Sequence, residues 1–136
     1  MLTDSIAQFF QSEAFAVLGA SSNRAKYGNK VLRCYLQHHK KVYPVNPHEQ
    51  QIEGLNVIPV LSALPEEVAS ISIITPPPIT EQIVNDAIKK GIKNIWMQPG
   101  AESDSAIRLC EANHINVIAQ GPCILVVLGY NEYSNT

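Results

Sequence analysis

The stretch Ala14-Phe-Ala-Val-Leu-Gly-Ala-Ser-Ser-Asn-Arg-Ala-Lys-Tyr-Gly28 constrains this chain more than any other. An apolar run ends at Gly19, a small-residue loop follows, and a helix is predicted to begin near Tyr27. A strand, glycine loop and helix in that order present backbone N–H groups and a positive helix end to a phosphate. The spacing falls short of the dinucleotide fingerprint G-x-G-x-x-G, because Ser21 stands at the middle glycine and the third glycine is displaced to Gly28. The loop therefore predicts a nucleotide, but not the usual nicotinamide or flavin dinucleotide.

The rest of the chain alternates strand and helix patterns. Helices are expected over a short segment capped by Thr3 or Asp4, from Tyr27 to about His38, from Thr80 as cap to Gly91, and from Ser103 or Asp104 to Asn113. A brief helical turn is expected at Pro65-Glu-Glu. Strands are expected at Phe15–Leu18, Lys41–Val45, Val57–Val60, Ser70–Ile74, Ile92–Met97 and Ile115–Ala119. Alternation of this kind predicts an α/β fold, a Rossmann-like doubly wound parallel sheet in three α/β/α layers. At 136 residues and 46% hydrophobic content, one domain over residues 1–136 is expected, with its core at about 14–123. The expected strand order is 3-2-1-4-5-6, which puts the switch point between the strands ending at Leu18 and Ile74. Ligands of such sheets lie in the crevice there, between the loops Gly19–Gly28 and Thr75–Pro78.

Charge and composition exclude several functions. Ten basic and twelve acidic residues give a formal net charge of −2, so nucleic acid is not an expected partner. No apolar run approaches the roughly 20 residues of a membrane span, and no signal-peptide pattern is evident. Three widely spaced cysteines, Cys34, Cys110 and Cys123, form neither a disulfide framework nor a CxxC site, and a reducing cytoplasm fits them. No metal motif and no catalytic residue emerges: the strand ends offer Thr75, Gln98 and Gln120, poor acids or bases at neutral pH. Cys123 is expected to be a buried, inert thiol.

Within the cleft, Gly19 allows the sharp turn, Ser21 and Ser22 add hydroxyl donors, and Arg24 and Lys26 add charge for a pyrophosphate. The second strand ends Tyr43-Pro-Val-Asn46 without the acid that holds a ribose in NAD-binding domains, leaving Asn46 and His48 as polar contacts. Thr75-Pro-Pro-Pro78 offers an apolar wall for an adenine or a flexible chain. The apolar tail Ile124–Leu128 suits either an interface or a further strand.

Val-Leu-Gly-Ala-Ser21, Val-Tyr-Pro-Val-Asn-Pro47 and Trp-Met-Gln-Pro-Gly100 together resemble the small stand-alone CoA-binding proteins, which are similar to the CoA-binding domain of the succinyl-CoA synthetase alpha subunit. The resemblance spans roughly Ala14 to Cys123. It implies a cytoplasmic, non-catalytic protein holding CoA or an acyl-CoA, either as a homo-oligomer or beside a partner subunit. The alternatives are an NAD(P)-dependent oxidoreductase or the nucleotide-binding subunit of a larger enzyme. Carried over by motif, Gly19, Ala20, Ser21 and Ser22 would lie along the pyrophosphate, with Lys26, Tyr27 and Gly28 closing the loop. Asn46, Pro47 and His48 would border the adenosine and its 3′-phosphate. Thr75, Pro76 and Pro77 would line the path of the nucleotide and pantetheine, and Gln98 would lie towards its far end. Members of the family often have lysine directly after Asn-Pro, where this chain has His48. The synthetase's phosphohistidine domain has no counterpart in these 136 residues, so no synthetase activity is expected of them alone.

Overall fold

In a computed structural model, described for residues 1–133, the chain forms a five-stranded parallel sheet and a two-stranded hairpin. The elements run α1 (Leu2–Phe9), β1 (Ala14–Leu18), α2 (Tyr27–Gln37), β2 (Val42–Val45), β3 (Gln51–Ile52), β4 (Leu55–Asn56), β5 (Val68–Ile73), α3 (Pro77–Lys90), β6 (Asn94–Met97), α4 (Asp104–Ala112) and β7 (Asn116–Ile118). A 3₁₀ turn at Leu61–Ala63 precedes β5, and a wide helical turn at Leu125–Gly129 ends the described chain.

The main sheet has the order β2-β1-β5-β6-β7. Every residue of β1 is buried, as a central strand of a parallel sheet covered on both faces requires. Its side chains alternate between two cores. Ala14, Ala16 and Leu18 join Ile71, Ile73, Ile95 and Met97 beneath Val84, Ala87, Ala106 and Cys110 of α3 and α4. Phe15 and Val17 join Trp96 and Ile118 beneath Phe9, Leu32 and Tyr35 of α1 and α2. The polar residues on this side are paired: the Tyr35 and Ser72 hydroxyls lie 2.6 Å apart.

Of the six expected strands, the third does not form among the described residues. Val57–Val60 runs beside β2 in the anticipated place, but it contributes a single parallel bridge, Ile58 to Val45. Two hydrogen bonds hold it, Ile58 N–H to the Pro44 carbonyl (2.9 Å) and Asn46 N–H to the Ile58 carbonyl (3.1 Å). Pro59, with no N–H, cannot extend the ladder, and Leu55–Asn56 is already paired with Gln51–Ile52. Strand order 3-2-1-4-5-6 is thereby corrected to a five-stranded sheet, with the switch point still between β1 and β5.

Three local readings also change. Helix α3 starts at Pro77, not after a Thr80 cap. Proline suits the first helical turn because those N–H groups lack partners in any case, and Thr80 is buried with its hydroxyl 2.8 Å from that of Thr75. The helical turn expected at Pro65 lies earlier, at Leu61–Ala63. The tail is not a further strand: Ile124 is fully buried and the segment turns helically against α2. Gly91 at the end of α3 and Ser103 at the start of α4 cap their helices as expected, Gly91 at φ +86° and Ser103 Oγ accepting from Ala106 N–H.

Candidate functional site

At the switch point the ends of β2, β1 and β5 are drawn together. Gly19 N–H donates to the Val45 carbonyl (3.3 Å), and Ile74 N–H donates to the Leu18 carbonyl (2.9 Å). Gly19 has φ +94°, and a Cβ there would overlap the Ile74 carbonyl oxygen. A Cβ on Gly28 would overlap the Gly19 carbonyl oxygen. Both glycines are therefore required by backbone approach, and the pair folds the loop onto the start of α2. That helix begins at Tyr27 without a capping side chain, so its positive end is left to whatever enters the cleft.

The loop between the glycines is internally braced. Ser21 Oγ accepts from Asn23 N–H and Asn23 Oδ1 accepts from Ala25 N–H, both at 3.0 Å. From α2, Asn29 Nδ2 donates to the Ser21 carbonyl at 2.9 Å. The segment after β2 clasps it from the other side. Asn46 Nδ2 donates to the Ala20 carbonyl (2.8 Å), while Asn46 Oδ1 accepts from the His48 and Glu49 amides (2.7 and 3.2 Å). Glu49 Oε2 accepts from Ser22 N–H at 3.0 Å. Glu53 takes both Arg24 nitrogens, Nη2 at 2.6 Å and Nε at 3.2 Å, and also Asn29 Nδ2 at 3.0 Å.

These contacts set the charges. The hydrogen bonds from Ser22, and the nearby Lys26 ammonium, hold Glu49 below the usual carboxylate range. The Arg24 guanidinium, helped by Asn29, does the same for Glu53, and Arg24 is raised in turn. Burial pushes the Cys34 and Cys110 thiols up to about 12, which makes them inert at neutral pH.

Three concavities meet here. The main one, about 630 Å³, is lined by Gly19, Ala20, Ser21, Lys26, Tyr27, Gly28, Asn46 and His48, together with Ala25, Glu49 and Ile74. A second, about 300 Å³, is lined by Tyr27, Ile74, Gln98, Pro99 and Cys123. A third, about 290 Å³, adds Thr75 and Pro76 to Ile74, Pro99, Gly100 and Ala101. Ile74 belongs to all three, so they form one cleft with a polar end at the glycine loop and a less polar end at Gln98. Ser22, Arg24, Pro47 and Pro77 line none of the three. Arg24 is turned to Glu53, and Pro77 is built into α3.

Gln98 is buried, its Oε1 accepting from Ile124 N–H (2.8 Å) and its Nε2 donating to Cys123 Sγ (3.4 Å). It fixes the tail against the end of β6. Cys123 is half-buried at the cleft rather than fully enclosed. Sequence reasoning missed Ile74, Glu49 and Glu53. Ile74 is simply the residue at which the β5 run loses its cover. The two glutamates lie in an irregular polar segment whose spacing gives no sign of where they point.

Among the described residues no group of His, Cys, Asp and Glu could hold a metal ion, and no helix is long and apolar enough to cross a membrane. The donor set is instead one for anions: a helix start, loop amides, the Ser21 hydroxyl, Lys26 and His48, around a cradle that side chains on Gly19 or Gly28 would fill.

Comparison with known proteins agrees with that chemistry. A family model described as a CoA binding domain matches residues 13–129. The alpha subunit of acetate–CoA ligase (ADP-forming) II from Pyrococcus furiosus is 31% identical over 88 residues, which cover 64% of this chain and 19% of the subunit. The chain thus spans about a fifth of the length of that relative. A conserved hypothetical protein from Pyrococcus furiosus superposes with a TM-score of 0.80 at 38% identity, covering 85% of this chain and 98% of that one. The dinucleotide-forming acetyl-coenzyme A synthetase 1 of Ca. Korarchaeum cryptofilum, solved with phosphate and ADP, superposes with a TM-score of 0.70 at 28% identity. That match covers 79% of this chain and 25% of the synthetase.

Proposed function

The chain belongs to the CoA-binding domain family, and from that premise we propose that it holds CoA or an acyl-CoA in the switch-point cleft without catalysing a reaction itself. The observation that carries this reading is the continuity of the cleft. One end offers a cationic side chain, the Ser21 hydroxyl and a helix start, suited to phosphates; the other is walled by Ile74, Pro99 and Tyr27, suited to a flexible, weakly polar chain. Gly19, Ala20, Ser21, Ser22, Lys26, Tyr27 and Gly28 would serve the pyrophosphate, and Asn46, Pro47 and His48 the adenosine and its 3′-phosphate. Thr75, Pro76 and Pro77 would flank the pantetheine path, and Gln98 would close its far end. Arg24 would contribute by steadying the loop through Glu53.

A second reading is favoured by length. The curated relative is about five times longer than the matched segment, so this domain could serve as the CoA-holding part of an enzyme completed by a partner subunit.

Thermal shift with CoA, dephospho-CoA, acetyl-CoA, NAD and ADP tests the proposal. A ligand that binds only the folded state stabilises it by RT ln(1 + [L]/Kd), about 2.7 kcal/mol at a hundredfold excess over Kd. CoA should raise Tm most, dephospho-CoA less, and Ser21→Asp should weaken the response by placing a carboxylate beside the pyrophosphate. Stabilisation by NAD and not by CoA would reverse the assignment. Turnover of an acyl-CoA by the isolated chain would remove the non-catalytic part of it.

A further inference from the structure

The segment that follows β2 sends two carboxylates to the glycine loop, and they are held very differently. Glu53 is part of the framework: three nitrogens from Arg24 and Asn29 surround it, and its side chain is 16% exposed. Glu49 is held by Ser22 alone, whose N–H donates to it at 3.0 Å. Its backbone is fixed, because Asn46 Oδ1 accepts from the Glu49 amide, but its side chain bonds no second residue among the described ones. It stands in the wall of the main cavity with Lys26, Tyr27 and His48, the other ionisable side chains there.

A carboxylate in that place meets both groups that an entering phosphate needs. It uses the Ser22 amide, and its charge offsets that of Lys26. One N–H cannot serve two anions, and a phosphate brought beside an ionised carboxylate in a partly enclosed cavity is repelled. We propose that Glu49 is a displaceable stopper: its carboxylate occupies the Ser22 amide in the free protein, and an entering phosphate must evict it, which lowers the protein's affinity for its anionic ligand. This rests on the reading of the loop as the phosphate end of a CoA site. The side chain has room to leave, since it borders the open cavity and bonds no residue besides Ser22 among the described ones. Its eviction leaves the loop's shape intact, because Asn46, Asn29 and Glu53 continue to brace it.

The protein would then select by charge and contact together. A ligand with a full set of phosphate contacts offsets the cost of eviction, whereas inorganic anions that reach only the Ser22 amide do not. Release would be assisted by the carboxylate returning to its amide.

Titration calorimetry of CoA and of inorganic pyrophosphate into the wild type, Glu49→Gln and Glu49→Ala tests this. Glutamine keeps an oxygen for Ser22 N–H while removing the charge; alanine removes both. Both variants are expected to bind CoA and pyrophosphate more tightly, by about three- to tenfold, the range of a partly screened charge contact. An independent readout is the Ser22 amide resonance in ¹⁵N-labelled protein. It should differ between the wild type and Glu49→Gln when free, and converge when CoA is bound. Wild-type binding of CoA with equal or weaker affinity in both variants would overturn the stopper and leave the proposed function standing. Absence of CoA binding in all three proteins, each shown to melt cooperatively, would overturn both.

Discussion

The carbonyl oxygen of Gly19 lies so close to Cα of Gly28 that a single methyl group on Gly28 would overlap it. The contact is backbone against backbone, so no side chain can swing away to relieve it. Gly28→Ala should cost about 1–3 kcal/mol of stability, the usual cost of overpacking a filled site. It should also pull α2 away from the loop, weakening CoA binding further than the stability loss implies. Urea unfolding and CoA calorimetry check this together. A variant as stable as wild type would mean that the loop and helix are not pressed together as described.

A second expectation concerns Gln98, which the sequence marks as a polar residue at a strand end and the family resemblance puts towards the far end of the pantetheine path. Its buried amide accepts the Ile124 N–H and donates to Cys123 Sγ. Gln98→Leu preserves bulk but leaves the Ile124 amide without its acceptor, at a cost of about 1–3 kcal/mol. The loss should be local first: hydrogen exchange at Ile124 should accelerate well before exchange in β1. Uniform acceleration throughout the sheet would argue that Gln98 serves the core as a whole and not the tail.

Stability should also decline in acid, with a sign fixed by the loop's carboxylates. Arg24 and Asn29 hold Glu53 below its ordinary value of 4.5, and Glu49 is lowered by Ser22. A carboxyl whose folded-state value is depressed stabilises the protein fully above its unfolded value. That stability is lost as pH falls through the folded-state value. Tm should therefore be level down to about pH 5 and fall as the medium is made more acid than that. Glu53→Gln should lower the neutral Tm and shrink the acid drop, because the glutamine does not titrate. Glu67 on Lys41 and Glu81 on Ser105 and Ser103 are lowered in the same direction, so some acid sensitivity should survive in the variant.

The layers of the fold were legible in the sequence because burial imposes simple patterns on it. Ala14–Leu18 is apolar on both faces, as a central parallel strand must be, and Gly19 and Tyr27 mark where it stops and where α2 starts. Val57–Val60 was misleading for a specific reason: its β-branched residues suit a strand, but Pro59 and the competing hairpin leave it one bridge. Thr80 resembled a cap only because Pro77 and Pro78 look like a loop when their place in a first helical turn is overlooked. At the site, Gly19 and Gly28 were readable because close backbone approach demands them, and Lys26 because it is a cation in the loop between them. Glu49 and Glu53 were not. Their positions depend on how an irregular segment folds back over a loop 27 and 29 residues earlier in sequence, and no local period encodes that.

His48 gives the last prediction, because it stands where members of the family often carry lysine. Its side chain borders the main cavity and is exposed, while its amide is held by Asn46 Oδ1 at 2.7 Å. The ring is thus presented from a fixed backbone to the place proposed for the 3′-phosphate. An imidazolium can make a charge-assisted contact there; a neutral imidazole offers at most an ordinary hydrogen bond. His48→Ala should therefore bind CoA more weakly, and His48→Lys, which puts a permanent cation at that place, more tightly. Dephospho-CoA, which lacks the 3′-phosphate, should respond little to either substitution. Calorimetry across the series decides the matter: CoA binding unchanged by His48→Ala would assign the phosphate contact to another group in the cleft.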